Sequence, residues 1–136
     1  MAKQTLLASY ISLNAVDLSN WCSKIELSME VEDEDGTTFG SGGWSEVLAG
    51  LRSFELGLTF KQDVAAAQLD QQLFTLFGTV VPFEIRLNNA VVGTSNPKYT
   101  GSVMVKEHTP ISGAVGDVAE VDVTFPGSGA LARATA

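Results

Sequence analysis

Four features of the chain carry residue types able to bind ions or do chemistry. The first is Glu32-Asp33-Glu34-Asp35-Gly36. A calcium loop takes oxygen ligands from alternating positions of a twelve-residue turn with glycine at the sixth. Setting Asp33, Asp35 and Gly36 at its third, fifth and sixth positions puts Val31 at the first and Gly42 at the last, and neither side chain can bind a cation. The run reads instead as a solvated, self-repelling stretch. The second, Gly40-Ser41-Gly42-Gly43, has the glycines of a phosphate cradle but no Lys-Ser/Thr after it and no helix start to aim amides at an anion. Flexibility is the reading there. His108 is the single histidine, lying between Glu107 and Pro110 without a nucleophile elbow or a second histidine, and it reads as a surface residue at a strand end. Cys22 is the single cysteine, too isolated for a disulfide or a zinc site, and reads as a buried, inert thiol. No catalytic centre, cofactor or metal is expected.

Composition narrows the partners. Sixteen acidic residues against eight basic ones give a formal charge of −8. That balance opposes adhesion to nucleic-acid phosphates and to anionic lipid, so a surface that grips DNA or a membrane is not expected. At 136 residues the chain has the length of one domain, 1–136, with room for a core that needs no disulfide. No apolar run is long enough to span a bilayer. Residues Met1 to Ala8 lack the apolar stretch of a secretory leader, so the chain reads as a cytoplasmic product.

The elements that must position these residues are mostly strands. From Lys24 to Val31, Ile25, Leu27, Met29 and Val31 alternate with Lys24, Glu26, Ser28 and Glu30. From Arg52 to Phe60, Phe54, Leu56, Leu58 and Phe60 alternate with Ser53, Glu55, Gly57 and Thr59. Both have the period of a half-buried strand, and the two are expected to pair. Between them, 32–50 is expected as one long loop, mobile in a free subunit and ordered on assembly. Its acidic start and glycine-rich middle bury too little to fix it, and structureless loops of that length are uncommon unless they have a function. A helix is expected over 64–77, with Ala66, Leu69, Leu73, Leu76 and Phe77 on one face, Asp63 as its cap and Gly78 as its stop. Asn88-Asn89 predicts a short hairpin between 83–87 and Val91-Val92. Strands follow at 98–107 and 118–125, and Pro126-Gly127-Ser128-Gly129 is expected to end the last one and release a mobile tail, 127–136.

The order of these elements carries a resemblance. A short strand Tyr10-Ile11-Ser12-Leu13 precedes Val16-Asp17-Leu18-Ser19-Asn20-Trp21. Then come a strand, a glycine-rich loop, a strand, one capped helix, and two closing strands that end Val123-Thr124-Phe125-Pro126. Over most of its length the chain resembles siphophage tail tube proteins. The resemblance implies a mainly β fold, an antiparallel β-sandwich or barrel with one flanking α-helix and a long loop or hairpin extension. It implies hexameric rings that stack into a tube behind a capsid, made in the host cytoplasm and located in the virion tail. The partners would be further copies of the chain, other tail proteins, and DNA that passes without tight binding. Six subunits giving four strands each make on the order of 24 strands; at ~4.8 Å spacing and ~40° tilt these enclose a wall roughly 50 Å across.

On that reading the assembly loop comprises Glu32, Asp33, Glu34, Asp35, Gly36, Phe39, Gly40, Gly42, Gly43 and Trp44. The lumen-facing set is Lys24, Glu26, Glu30, Glu55, Lys98, Lys106, Glu120 and Asp122, acidic on balance, so that phosphates are repelled and slide. A solvated sandwich face accounts for the same polar residues. The competing function is a monomeric β-sandwich binding module, carbohydrate-binding or adhesin-like; Trp21, Trp44, Tyr10 and Tyr99, which would have to build its site, do not cluster in sequence.

Overall fold

Alternating side chains become long paired strands. The computed structural model describes residues 5–135 and contains β1 (Tyr10–Leu13), β2 (Val16–Asp17), β3 (Cys22–Asp35), β4 (Val47–Lys61), β5 (Val80–Arg86), β6 (Lys98–Met104) and β7 (Glu120–Ala134). They form one antiparallel sheet in the order β2-β1-β5-β6-β7-β4-β3. One α-helix, α1 (Leu69–Leu76), lies between β4 and β5 among the described residues. The fold is therefore mainly β with a single helix and a long β3–β4 hairpin. Residues 1–4, part of the stretch read as lacking a leader, and residue 136 lie outside the described residues.

β7 joins the two halves of the sheet. Its first half pairs with β4, from Lys61↔Glu120 to Glu55↔Pro126, and its second half pairs with β6, from Val103↔Gly127 to Lys98↔Ala134. The stretch expected to end the strand is therefore a bend inside it, and the expected mobile tail is strand as far as Ala134. The physical reason lies in the glycines. A Cβ on Gly127 would stand 2.5 Å from the Phe54 ring, and Gly129, at φ 85°, takes a left-handed conformation where the β6–β7 register shifts. They let the strand bend over the core and resume pairing.

Between the halves lies one apolar core. β4 contributes Phe54, Leu56, Leu58 and Phe60; β7 contributes Val121, Val123 and Phe125; β5 contributes Val81, Phe83 and Ile85. Ile11, Leu13, Leu18, Leu69, Leu73, Val103 and Val105 complete it. The Phe54 and Phe83 rings meet across the halves at 5.9 Å between centroids, tilted by 49°. Ile25 and Leu27 of β3 pack against its margin.

The helix is shorter than its periodicity suggests. Asp63 does not cap it: one carboxylate oxygen accepts the Trp21 indole N–H at 3.0 Å and the other accepts the amide of Ala65 at 3.1 Å. The chain turns at Ala67, φ 62°, and α1 begins at Leu69. Leu69 and Leu73 are fully buried and Leu76 packs on the core, whereas Phe77 lies past the helix end and is exposed. Gly78, at φ 83°, provides the expected left-handed stop. The hairpin expected around Asn88-Asn89 is absent. β5 pairs with β6, and 87–97 connects them, held where Asn96 Nδ2 donates to the carbonyls of Asn88 (3.0 Å) and Ala90 (3.1 Å).

Candidate assembly surfaces

The stretch 32–50 is strand at both of its ends, 32–35 and 47–50. Beyond Met29↔Phe54, pairing continues through Val31↔Arg52, Asp33↔Ala49, Glu34↔Leu48 and Asp35↔Val47, with one bulge between Val31 and Asp33. Only 36–46 lies outside the strands, and it carries a 3-10 turn at Phe39–Ser41. The expected loop is therefore shorter, and its two ends form an arm whose paired backbone groups satisfy one another. The tip is also bonded internally. Gly36 N–H donates to the Glu46 carbonyl at 2.9 Å, Glu46 N–H donates to Thr37 Oγ1 at 2.9 Å, and Thr38 N–H donates to Ser41 Oγ at 3.1 Å. The Thr37 N–H donates to Asp35 Oδ1 at 3.0 Å and holds that carboxyl below the usual carboxylate range. Gly42 and Gly43, at φ 67° and 85°, occupy conformations that disfavour other residues. The apolar side chains of the arm face solvent instead. Met29, Val31, Val47, Leu48 and Leu51 are exposed, and at the tip Phe39 is fully exposed and Trp44 is 80% exposed.

Register assembles most of the acidic face. Lys24 lies opposite Thr59, and Thr59 opposite Asp122; Glu26 lies opposite Gly57; Ser28 lies opposite Glu55, and Glu55 opposite Pro126; Lys61 lies opposite Glu120. Six of the eight residues assigned to a lumen, Lys24, Glu26, Glu30, Glu55, Glu120 and Asp122, thus share the outer face of β3, β4 and the first half of β7. Lys98 and Lys106 do not join them: Lys98 lies on β6 opposite Arg86 and Ala134, and Lys106 follows the end of β6. The arm extends the face, because a Cβ on Gly50 would stand 3.1 Å from Glu34 Cγ and 3.2 Å from Glu32 Cβ. Two contacts tie β4 to β7 there, the Lys61–Glu120 ion pair and a Thr59 to Asp122 hydrogen bond of 3.2 Å.

The two edges of the sheet are unequal. β3, at one edge, offers the unpaired side of fourteen residues, while β2, at the other, has two. A long free edge is a pairing template, and Glu26, Glu30, Glu32 and Glu34 place charge along it. The free side of the first half of β7 is covered differently, since Glu107 Oε1 accepts the Thr124 N–H at 2.7 Å.

The residues considered first for chemistry take structural places. Cys22 is half-buried with its Sγ 3.2 Å from the Lys24 carbonyl, and burial pushes its thiol up. His108 is not a surface residue: its side chain is 4% exposed and Nε2 lies 3.1 Å from Asp70 Oδ1, tying the 105–119 connection to α1. Among the described residues no helix is long and apolar enough to cross a membrane.

The sequence reading missed the far end of the β4–β7 pair. There Gln62 N–H donates to the Ala119 carbonyl at 2.9 Å and Gln62 Nε2 to the Pro110 carbonyl at 2.7 Å. These bonds frame an open groove of about 350 Å³ lined by Val64, Pro110, Ile111 and Ala114 among others. Val64 and Ile111 are exposed in its lining. They come from two separate connections, so no pattern in the sequence marks them as one surface.

The fold has counterparts in solved particles. A chain from the virion of a native gene transfer agent (GTA) particle matches with a TM-score of 0.75 at 21% identity, over 96% of this chain and 98% of that one. The chain has the fold of a GTA virion component. A second match, from the tail of an empty GTA particle refined helically with C6 symmetry, has a TM-score of 0.64 at 22% identity, over 82% of this chain and 81% of that one. No protein-family model and no curated protein matches the sequence. At the level of fold, the resemblance to tail tube proteins therefore stands on nearly the whole chain.

Proposed function

We propose that the protein is a structural component of a phage-like tail, assembling with copies of itself into stacked, six-membered rings that form a tube for DNA. The observation that carries this reading is the end-to-end match to a GTA virion chain, together with a second match in a tail of C6 symmetry. Physical features of the subunit favour it. An arm with exposed apolar side chains and a fourteen-residue free edge is a hazard for a monomer and a docking device in a ring. Unequal edges suit a heterologous, head-to-tail contact, which closes into a ring when the rotation allows. The polar outer face of β3, β4 and β7 would line the channel, where its carboxylates keep phosphates from settling.

Negative-stain microscopy of concentrated protein tests the proposal directly. Tubes or stacked rings are expected, and uniformly dispersed particles would favour the monomeric binding module instead. The lumen assignment has its own test, replacement of Glu55, Glu120 and Asp122 by Lys. Tubes of this variant are expected to retain short duplex DNA at low salt, protect it from nuclease and release it as salt rises. A control with Asp17, Glu84 and Asp117 changed to Lys has equal net charge and leaves that face intact. Equal retention by the two variants would move the channel to another face.

A further inference from the structure

We infer that Glu107 guards a second sheet edge, the free side of β7 between Glu120 and Phe125, and yields it to β3 of a neighbouring copy when a ring closes. The inference rests on the self-assembly reading above and adds to it the receiving strand and the group that blocks it. β7 pairs with β4 along one side of this segment and reaches β6 only from Gly127 onward. β6 ends at Met104, and the Val105 N–H donates to the Thr79 carbonyl at 2.9 Å, away from β7. Among the described residues no strand pairs with the other side of 120–125. There the Thr124 N–H is met by a side chain, Glu107 Oε1 at 2.7 Å. Two residues on, where the next N–H would point the same way, stands Pro126, which has none. Charge and proline along a strand are two of the ways a sheet edge is kept from pairing.

Backbone direction selects the occupant. Neighbouring residues of a strand point their N–H and C=O groups to opposite sides. Because Thr124 points away from β4, Val123 points toward its β4 partner Leu58; Thr59 and Gly57 then point toward β3, where they lie opposite Lys24 and Glu26. Ile25 and Leu27 are left pointing off the free edge of β3. β3 and β7 are both antiparallel to β4 and so run parallel to each other. Rotation about a ring axis keeps that sense, and a neighbour's β3 meets β7 as a parallel strand. At the level set by Ile25↔Leu58↔Val123, its Ile25 carbonyl reaches the Thr124 N–H that Glu107 holds, and its Lys24 stands beside Asp122. Each side chain stays on its own face, so the polar outer surface continues from one copy to the next. Pairing β3 with β3 instead would set Glu26, Glu30, Glu32 and Glu34 against like charges, which is unfavourable. That contact would be two-fold and would not make a ring.

Removing a guard should favour assembly. Glu107→Ala should lower the concentration at which rings form by roughly two- to tenfold, the range expected for one hydrogen bond that must break on pairing. Glu107→Gln keeps an acceptor of the same shape without the charge and should fall between wild type and Ala. In amide exchange of free subunits, Glu107→Ala should expose Thr124 while Val123, facing β4, stays protected; in rings of the variant, Thr124 should be protected again. A carbodiimide joins only ammonium and carboxylate groups already in contact, and in rings it should link Lys24 to Asp122 between differently isotope-labelled copies. If folded Glu107→Ala forms rings at the wild-type concentration or above it, Glu107 only anchors its connection and the guard is overturned. Should that variant not fold, the Gln variant decides in the same way. Thr124 left exposed in variant rings, or rings with no Lys24 link between copies, would overturn the pairing of β3 with β7. These results leave self-assembly standing, whereas wild-type protein that forms no rings would overturn both readings.

Discussion

The β3–β4 hairpin has two halves, built on one continuous pairing and held by different forces. Near the body, Phe54, Leu56, Leu58 and Phe60 alternate inward and are buried against β5, β7 and α1. Beyond Met29↔Phe54 the ladder continues without a second layer, and Val31, Val47, Leu48 and Leu51 face solvent. The body is stabilised by removing apolar area from water, about 25 cal/mol per Å². The arm has backbone hydrogen bonds and tip contacts only, each worth about 1 kcal/mol net. A two-stranded ribbon with no packed face is marginal alone, so the arm depends on the body in the free subunit and has apolar surface left for a neighbour.

The largest effect that can break this comparison is in the core. Phe60→Ala should destabilise the subunit by about 3–5 kcal/mol, because the ring is wholly buried and the surrounding strands cannot collapse into the gap. Leu51→Ser in the arm should cost no more than about 0.5 kcal/mol. Thermal denaturation of the two variants under identical conditions measures the difference. Equal losses would mean that the arm is packed in solution and that its exposed side chains have a partner within the subunit.

A smaller effect sharpens the boundary between the two halves of the sheet. Gly127→Ala puts a methyl group where the Phe54 ring already stands, at 2.5 Å, and should cost about 1–3 kcal/mol as ring or strand shifts. Gly57→Ala is the control. Its new methyl would meet Glu26 Cβ at 3.7 Å, ordinary contact distance, so the change should be close to neutral in denaturant titration. If both variants behave alike, the bend in β7 does not depend on the missing side chain.

The same contrast explains what the sequence made legible. Strand pairing at 24–31 and 52–60 was readable because burial of one face imposes a period of two. The arm was hidden because nothing buries it: Glu32, Asp33, Glu34 and Asp35 are poor strand formers and carry no apolar pattern, yet backbone pairing continues through them. Pro126-Gly127-Ser128-Gly129 has the composition of a terminator and functions as a bend, a difference set by the Phe54 ring, which is distant in sequence. Asp63 had the sequence position of a helix cap and was claimed instead by the Trp21 indole. Of the candidate site, the alternation on β3, β4 and β7 was enough to put Glu26, Glu30, Glu55, Glu120 and Asp122 on one side of the sheet. The groove at the far end was beyond reach because its walls come from two connections brought together only by the β4–β7 pairing.

The smallest predicted effect separates arm from body by pH. The Asp35 carboxyl accepts the Thr37 N–H at the tip, which favours its ionised form and lowers its pKa relative to the unfolded chain. The sign follows from linkage. A depressed folded-state pKa contributes stability that is present above the unfolded value of about 3.9 and is lost as pH falls through the folded value. Because Asp35 is exposed, the contribution is small and confined to the tip. In amide exchange followed by NMR, protection of the Thr37 amide should fall below about pH 4, while amides flanking Phe60 keep theirs until the whole subunit unfolds. Asp35→Asn should remove the titration of the Thr37 signal and leave the core amides unchanged. If the core amides lose protection in step with Thr37, arm and body open as one cooperative unit, and the division between backbone-held and core-held halves of the hairpin is wrong.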